Sequence, residues 1–167
     1  AHVSMAKPTS PCLSECCETA LKKLDINYQM NGTYIVMEGP QFSTLAESNL
    51  YRSWNADVIG MTNMPEAKLA REAEIRYCAV AMVTDYDCWH PDHEEVDVSM
   101  VIQTLQQNAS NAQNMIKEVI KTFKNFSAEG DPANNCLDVA IITDPKHRTK
   151  KTIKKLQYIA SRVLKKK

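Results

Sequence analysis

Two acids in one short stretch carry the strongest chemical signal in this chain. Thr84-Asp85-Tyr86-Asp87 follows directly on the apolar run Tyr77 to Val83. In extended backbone, alternate side chains point the same way, so Asp85 and Asp87 would share a face. Neighbouring carboxylates repel, and burial favours the neutral acid, so such a pair can hold one proton for a leaving group. The same pattern also reads as a solvated acidic loop or as oxygen ligands for a hard cation. His90 and His93 lie nearby but bring no third ligand at metal spacing, so no metal is expected.

Two further segments could complete a site. Glu38-Gly39-Pro40-Gln41-Phe42-Ser43 sets a stiff turn after a β-prone run and delivers a ring and a hydroxyl. Phe42 could stack on a planar base; on residue type alone it reads sooner as core. Met61-Thr62-Asn63 follows a second short apolar run. There Thr62 could hold an anion or simply cap a helix.

These segments need elements to position them. Ser10-Pro11 opens a predicted helix over 12–24, with Leu13, Cys17, Ala20, Leu21 and Leu24 at helical spacing. Asn31-Gly32 signals a turn before a strand over 33–37. Thr44-Leu45-Ala46-Glu47 is a capping-box pattern, so a helix should start there and run to about residue 53. Residues 57–61 read as a short buried strand. Asn63 and Pro65 open a helix ending near Glu74. Residues 77–84 read as a central strand. A long helix is expected over 95–123, a loop over 127–135, and a last helix over about 149–164. Strands alternating with helices predict an α/β domain, a layered central mixed sheet flanked by helices. In such sheets ligands gather at the carboxyl ends of strands, where all three polar segments fall.

Composition narrows the partners. Net charge is zero over 167 residues, yet residues 144–167 hold ten Lys or Arg against one acid. A basic tail can bind nucleic acid or an anionic membrane. A single aromatic, Tyr158, stands among these cations, short of the interleaving seen in nucleic-acid binders, so a solvated helix over 145–167 is the expectation, with no nucleic acid and no membrane as partners. Six cysteines at irregular spacing, with no secretory signal, predict reduced thiols and a cytoplasmic location.

The same segments carry a family resemblance. MEGPQFSTLAES (37–48) is similar to the purine-site signature of the trimeric purine nucleoside phosphorylases. RSWNADVIGMTNMPEAKLAREAEI (52–75) resembles the next block of that family, and AHVSMAKP (1–8) its segment ahead of the first helix. AMVTDYDCW (81–89) resembles the block that marks the methylthioadenosine phosphorylase branch. The likeness covers most of the chain and weakens towards the tail.

The resemblance implies a purine nucleoside phosphorylase-like fold over 1–167, a pentosyltransferase activity and a trimer. Phosphate attacks the anomeric carbon of 5′-methylthioadenosine, adenine leaves, and 5-methylthioribose 1-phosphate forms. Phosphate is a co-substrate and no cofactor is implied. The branch implies a cytoplasmic enzyme of purine and methionine salvage, with the nucleus as a second compartment. Asp85 would serve the imidazole-ring nitrogen of the departing base, while Asp87 would read the exocyclic amine and orient Asp85. Phe42 and Ser43 would lie against the base, Met61 along the ribose, and Val98 and Val101 around the methylthio group. Thr62 would contact phosphate. His2, and a residue near Leu164, would reach a neighbouring subunit's site.

Nothing in this stretch matches the family's Gly-rich phosphate loop or its Arg-His pair. The resemblance therefore implies a fold incomplete at its N-terminus, with an exposed sheet edge, and leaves the activity of the isolated chain open. A catalytically incomplete fragment that binds an adenosine-like ligand or only oligomerises stands as one alternative. A 6-oxopurine nucleoside phosphorylase stands as another. Arg76 falls where an apolar or small residue is expected, and reads as a surface position.

Overall fold

The computed structural model describes residues 1–90 and 98–164, with side chains in the second stretch from Ile102 onward. Five α-helices and two strands are described: α1 (Pro11–Lys23), β1 (Tyr34–Val36), α2 (Leu45–Ser53), β2 (Val58–Gly60), α3 (Asn63–Glu72), α4 (Val98–Thr122) and α5 (Lys150–Leu164). Short 3₁₀ turns follow α4 and precede α5. The chain divides into two compact units, Ala1–Ser14 with Pro65–Cys78 and Ser127–Lys167, and Glu15–Met64 with Ala79–Phe126.

The second unit holds the sheet. β1 and β2 pair in parallel, Tyr34 opposite Val58 and Val36 opposite Gly60. Parallel neighbours require a crossover, and α2 supplies it. The Asp57 carboxylate accepts the Thr33 amide at 2.6 Å, and the Asp57 amide donates to the Thr33 carbonyl at 2.9 Å. The register is thereby set at the entry of both strands, and their carboxyl ends emerge side by side.

The capping box is formed in full. The Glu47 amide donates to Thr44 Oγ1 at 3.2 Å, and the Thr44 amide donates to Glu47 Oε2 at 2.7 Å. Two otherwise orphaned donors are satisfied reciprocally. The backbone amide and then the hydroxyl of Thr44 hold the Glu47 carboxyl below its usual range. Elsewhere in this unit, Cys16 and Met115 are buried, and Lys23 pairs with Glu118 at 2.5 Å, tying α1 to α4.

The chain has only four glycines, and three helices stop without one. Asp25, Asn55 and Glu74 take positive φ values of 52°, 57° and 55° just beyond α1, α2 and α3. In each case an amide beyond the helix reaches back five residues: Ile26 to Leu21 O, Ala56 to Tyr51 O, Ile75 to Ala70 O. These are Schellman-type ends, in which a left-handed residue lets the chain satisfy its last carbonyls.

The first unit is built on α5. Its Ala160 and Val163 pack with Leu137 and Ala140 into a buried cluster that Val3, Leu156 and Leu164 extend. Fully burying a side chain the size of Leu137 contributes roughly 1.5–3 kcal/mol. The buried Arg71 of α3 donates to the carbonyls of Ser4 at 2.7 Å and Lys7 at 2.6 Å, anchoring the first residues. Arg162 pairs with Asp138 and with Glu74, and these carboxylates raise its pKa.

Two expectations are corrected. Residues 77–84 form no strand; among the described residues the sheet contains β1 and β2 alone. Apolar, β-prone residues favour extended backbone, but a strand also needs a ladder. Here the Val83 carbonyl is taken by the Asn108 side-chain amide at 3.0 Å instead. Arg76 is not simply a surface residue. It is half-buried, donates to Asn134 Oδ1 at 2.6 Å and lies 3.9 Å from the buried Asp131. Asp131 also receives the Ser10 hydroxyl and the Ala133 amide, so Arg76 supplies the countercharge of a buried acid that pins the 127–135 loop.

Candidate functional site

A cavity of about 540 Å³ opens in the second unit where β1 and β2 end, a size usual for small-molecule sites. Tyr34, Ile35 and Val58 to Met61 form its floor. Phe42 and Ser43 come from the turn after β1, Tyr51 and Arg52 from α2, and Ala81 to Asp87 and Trp89 from the segment expected to be a strand.

The turn after β1 depends on Gly39. Its φ is +70°, which favours glycine. A Cβ added there would also lie 2.6 Å from Met61 Sδ. The two strand-end segments therefore touch through this glycine. The turn carries Phe42, which is 86% exposed. That excludes the core reading of Phe42 and leaves its ring free to meet a ligand at the cavity rim. Ser43 is half-buried, and its hydroxyl donates to Met37 Sδ at 3.5 Å.

Asp85 and Asp87 both line this cavity. Asp85 is exposed, not buried as the dyad argument supposed, and accepts the Thr84 hydroxyl at 2.7 Å. Asp87 is half-buried and accepts the Cys88 amide at 2.9 Å. Each carboxylate is oriented by its immediate neighbour, and each retains acceptor capacity for a donor in the cavity.

The structure thus brings Phe42, Ser43, Met61, Asp85 and Asp87 to one cavity. Thr62 is exposed, outside the lining, directly ahead of α3. His2 belongs to the first unit, where it lines a separate cavity of about 490 Å³ together with Leu164. Val98 and Val101 begin α4 on the backbone, but their side chains lie outside the described residues, as does His93. Among the described residues, no group of three or more metal-ligating side chains converges.

Residue-by-residue reading missed the aromatic wall. Tyr86 stacks on His90 at 4.4 Å between centroids, Trp89 meets Tyr86 edge-on at 6.0 Å, and the Arg52 guanidinium sits 3.7 Å over the Trp89 ring. The signal was present: Tyr86 and Trp89 stand among the acids in DYDCW. No local pattern pairs residue 52 with residue 89.

The phosphorylase superfamily model matches residues 1–121. An S-methyl-5′-thioadenosine phosphorylase of Rhodospirillum rubrum is 55% identical over 165 residues, covering 98% of this chain and 56% of that protein. One from Synechocystis sp. is 51% identical over 162 residues, covering 95% and 49%. The chain spans about half the length of the curated relatives it matches. Among solved structures, a methylthioadenosine phosphorylase from an Antarctic soil metagenomic library superposes with a TM-score of 0.87 at 43% identity, covering 95% of this chain and 56% of that one. A methylthioadenosine phosphorylase of Schistosoma mansoni in complex with adenine gives 0.66 at 29% identity, covering 74% and 48%. The fold is α/β and purine nucleoside phosphorylase-like. With the family model matched from the first residue through nearly all of α4, this chain belongs to the phosphorylase superfamily.

Proposed function

We propose that this chain forms the purine- and ribose-binding portion of an S-methyl-5′-thioadenosine phosphorylase. One observation carries the reading: Phe42, Met61, Asp85 and Asp87, far apart in sequence, line a single cavity at the carboxyl ends of a parallel strand pair. An exposed ring, an apolar thioether and two carboxylates are complementary to adenine, a ribose face and an amine edge. The relatives that bear this activity in their names share about half of the chain's residues.

In the reaction, a phosphate oxygen bonds to the anomeric carbon as the bond from that carbon to the purine breaks. The electron pair goes to the base. Asp85 holds the proton at the imidazole-ring nitrogen and so offsets the charge developing on adenine. Asp87 accepts from the exocyclic amine and orients Asp85. Phe42 and Ser43 lie against the base, Met61 along the ribose, and Val98 and Val101 around the methylthio group. Thr62 precedes the first turn of α3, where the helix end favours an anion, and contacts phosphate. His2 serves a neighbouring copy in a trimer. The products are adenine and 5-methylthioribose 1-phosphate, as salvage of both parts requires.

The test is adenine release from methylthioadenosine with and without phosphate, run beside calorimetric titration with adenine. Phosphate-dependent release supports the whole reading. Adenine binding without release favours the binding-only alternative. Absence of both overturns the proposal.

A further inference from the structure

Just beyond the two acids, the adjacent residues Cys88 and Trp89 reach the two ends of α2. Cys88 Sγ donates to the Ser43 carbonyl at 3.6 Å, next to the Thr44 cap of the helix. At the far end of α2, the Arg52 guanidinium covers the Trp89 ring at 3.7 Å. Asp85 and Asp87 lie just ahead of these ties, and in the hydrogen bonds described above their carboxylates bond to Thr84 and Cys88 of their own segment. Local bonds orient a carboxylate relative to its own backbone. They do not fix where that backbone stands in the cavity. Contacts from outside the segment do so: the Asn108 amide holds the Val83 carbonyl ahead of the acids, and Arg52 on Trp89 has the geometry to hold the stretch beyond them. Arg52 also follows Tyr51, which lines the same cavity.

We propose that Arg52 is a positioning residue of the site: by gripping the Trp89 ring it fixes the acid-bearing segment against α2. Arg52 touches neither carboxylate in the described contacts and acts through Trp89. A delocalised planar cation suits this role better than a compact ammonium, because it stacks over the whole indole face. This inference rests on the nucleoside reading of the cavity for its effect on binding, but not for the clamp itself.

The chain has two tryptophans, so a Trp54→Phe background leaves Trp89 as the sole indole reporter. In that background we compare Arg52, Arg52→Lys and Arg52→Ala by intrinsic fluorescence and by adenine titration. Loss of the clamp should shift the ligand-free Trp89 emission to longer wavelength in Arg52→Ala. Adenine binding should weaken roughly two- to fivefold, the factor a partly exposed cation–π contact supports. Arg52→Lys should fall between. Identical ligand-free spectra for all three forms overturn the clamp. A shifted spectrum with unchanged adenine affinity overturns its role in positioning the acids. If the Arg52 form does not bind adenine, the nucleoside reading fails, and the ligand-free spectra still decide the clamp.

Discussion

Gly39 stands so close to Met61 that a single added carbon would come within 2.6 Å of the methionine sulfur. The contact joins the turn after β1 to the segment after β2, and each segment brings one wall of the cavity. Gly39→Ala should therefore lose stability and binding together. A left-handed non-glycine residue costs about 1–2 kcal/mol, before the clash is counted. In a chain of this length that lowers Tm by about 2–8 °C, readable by circular dichroism. Adding Met61→Ala should relieve the clash but leave the backbone strain. Full recovery of Tm in the double variant would rule the strain out.

Asp85→Asn should alter base preference. In the proposed site, Asp85 stands at the imidazole-ring nitrogen, beside the exocyclic group that Asp87 reads; there a carboxylate suits a neighbouring amine, whereas an amide can also donate to a neighbouring carbonyl. A mismatched buried polar pair costs about 1–3 kcal/mol, or about tenfold and more in selectivity. Competing phosphorolysis of methylthioadenosine and inosine measures the ratio. Because Asp85 is exposed without ligand, the change is expected at the low end of that range. An unmoved ratio would remove Asp85 from base recognition.

Glu47 should make α2 sensitive to acid. Its folded pKa is depressed by the Thr44 amide and hydroxyl. A depressed carboxyl contributes stability that is present above its unfolded value, near 4.3. That stability is lost as pH falls through the folded value. The Tm gap between the native chain and Glu47→Gln should be constant at neutral pH and close below about pH 4. A gap that persists undiminished at lower pH would count against the capping-box origin.

Asn55→Gly should stabilise. Asn55 ends α2 at a φ of 57°, a conformation glycine adopts without strain. The gain should approach 1 kcal/mol, reduced by the extra freedom of glycine in the unfolded chain. Urea unfolding followed at α2 measures it, and a fall in midpoint would show that the Asn side chain matters more than its backbone angle.

Local signals were legible where one short stretch decides the outcome. The Thr44–Glu47 box was readable because both partners sit within one turn, and α1, α3 and α5 followed from apolar spacing and end residues. Residues 77–84 were misread because composition reports a preference for extended backbone but not the presence of a partner strand. The ends of α1, α2 and α3 were read to within two residues, but the left-handed residues Asp25, Asn55 and Glu74 that close them were not, because the usual glycine marker is absent there. Within the site, strand-end logic found five of the lining residues. It missed Arg52 and Trp89, whose partnership arises from the fold, and it supposed burial for Asp85 where the structure shows exposure. Residue type alone favours a core place for Phe42, since an apolar ring is at home there; its exposure overturns that reading.

The parallel pair of β1 and β2 closes over a crossover of about two dozen residues, with Thr33 and Asp57 locking its entry. Such a short closure carries a small entropic cost and pairs residues that are close in sequence. During synthesis, where chains emerge and fold progressively from the amino end, the cavity floor can therefore form before residues 81–89 have left the ribosome. The acidic segment would then arrive at a template already in place, and errors in its seating would leave the sheet beneath it intact.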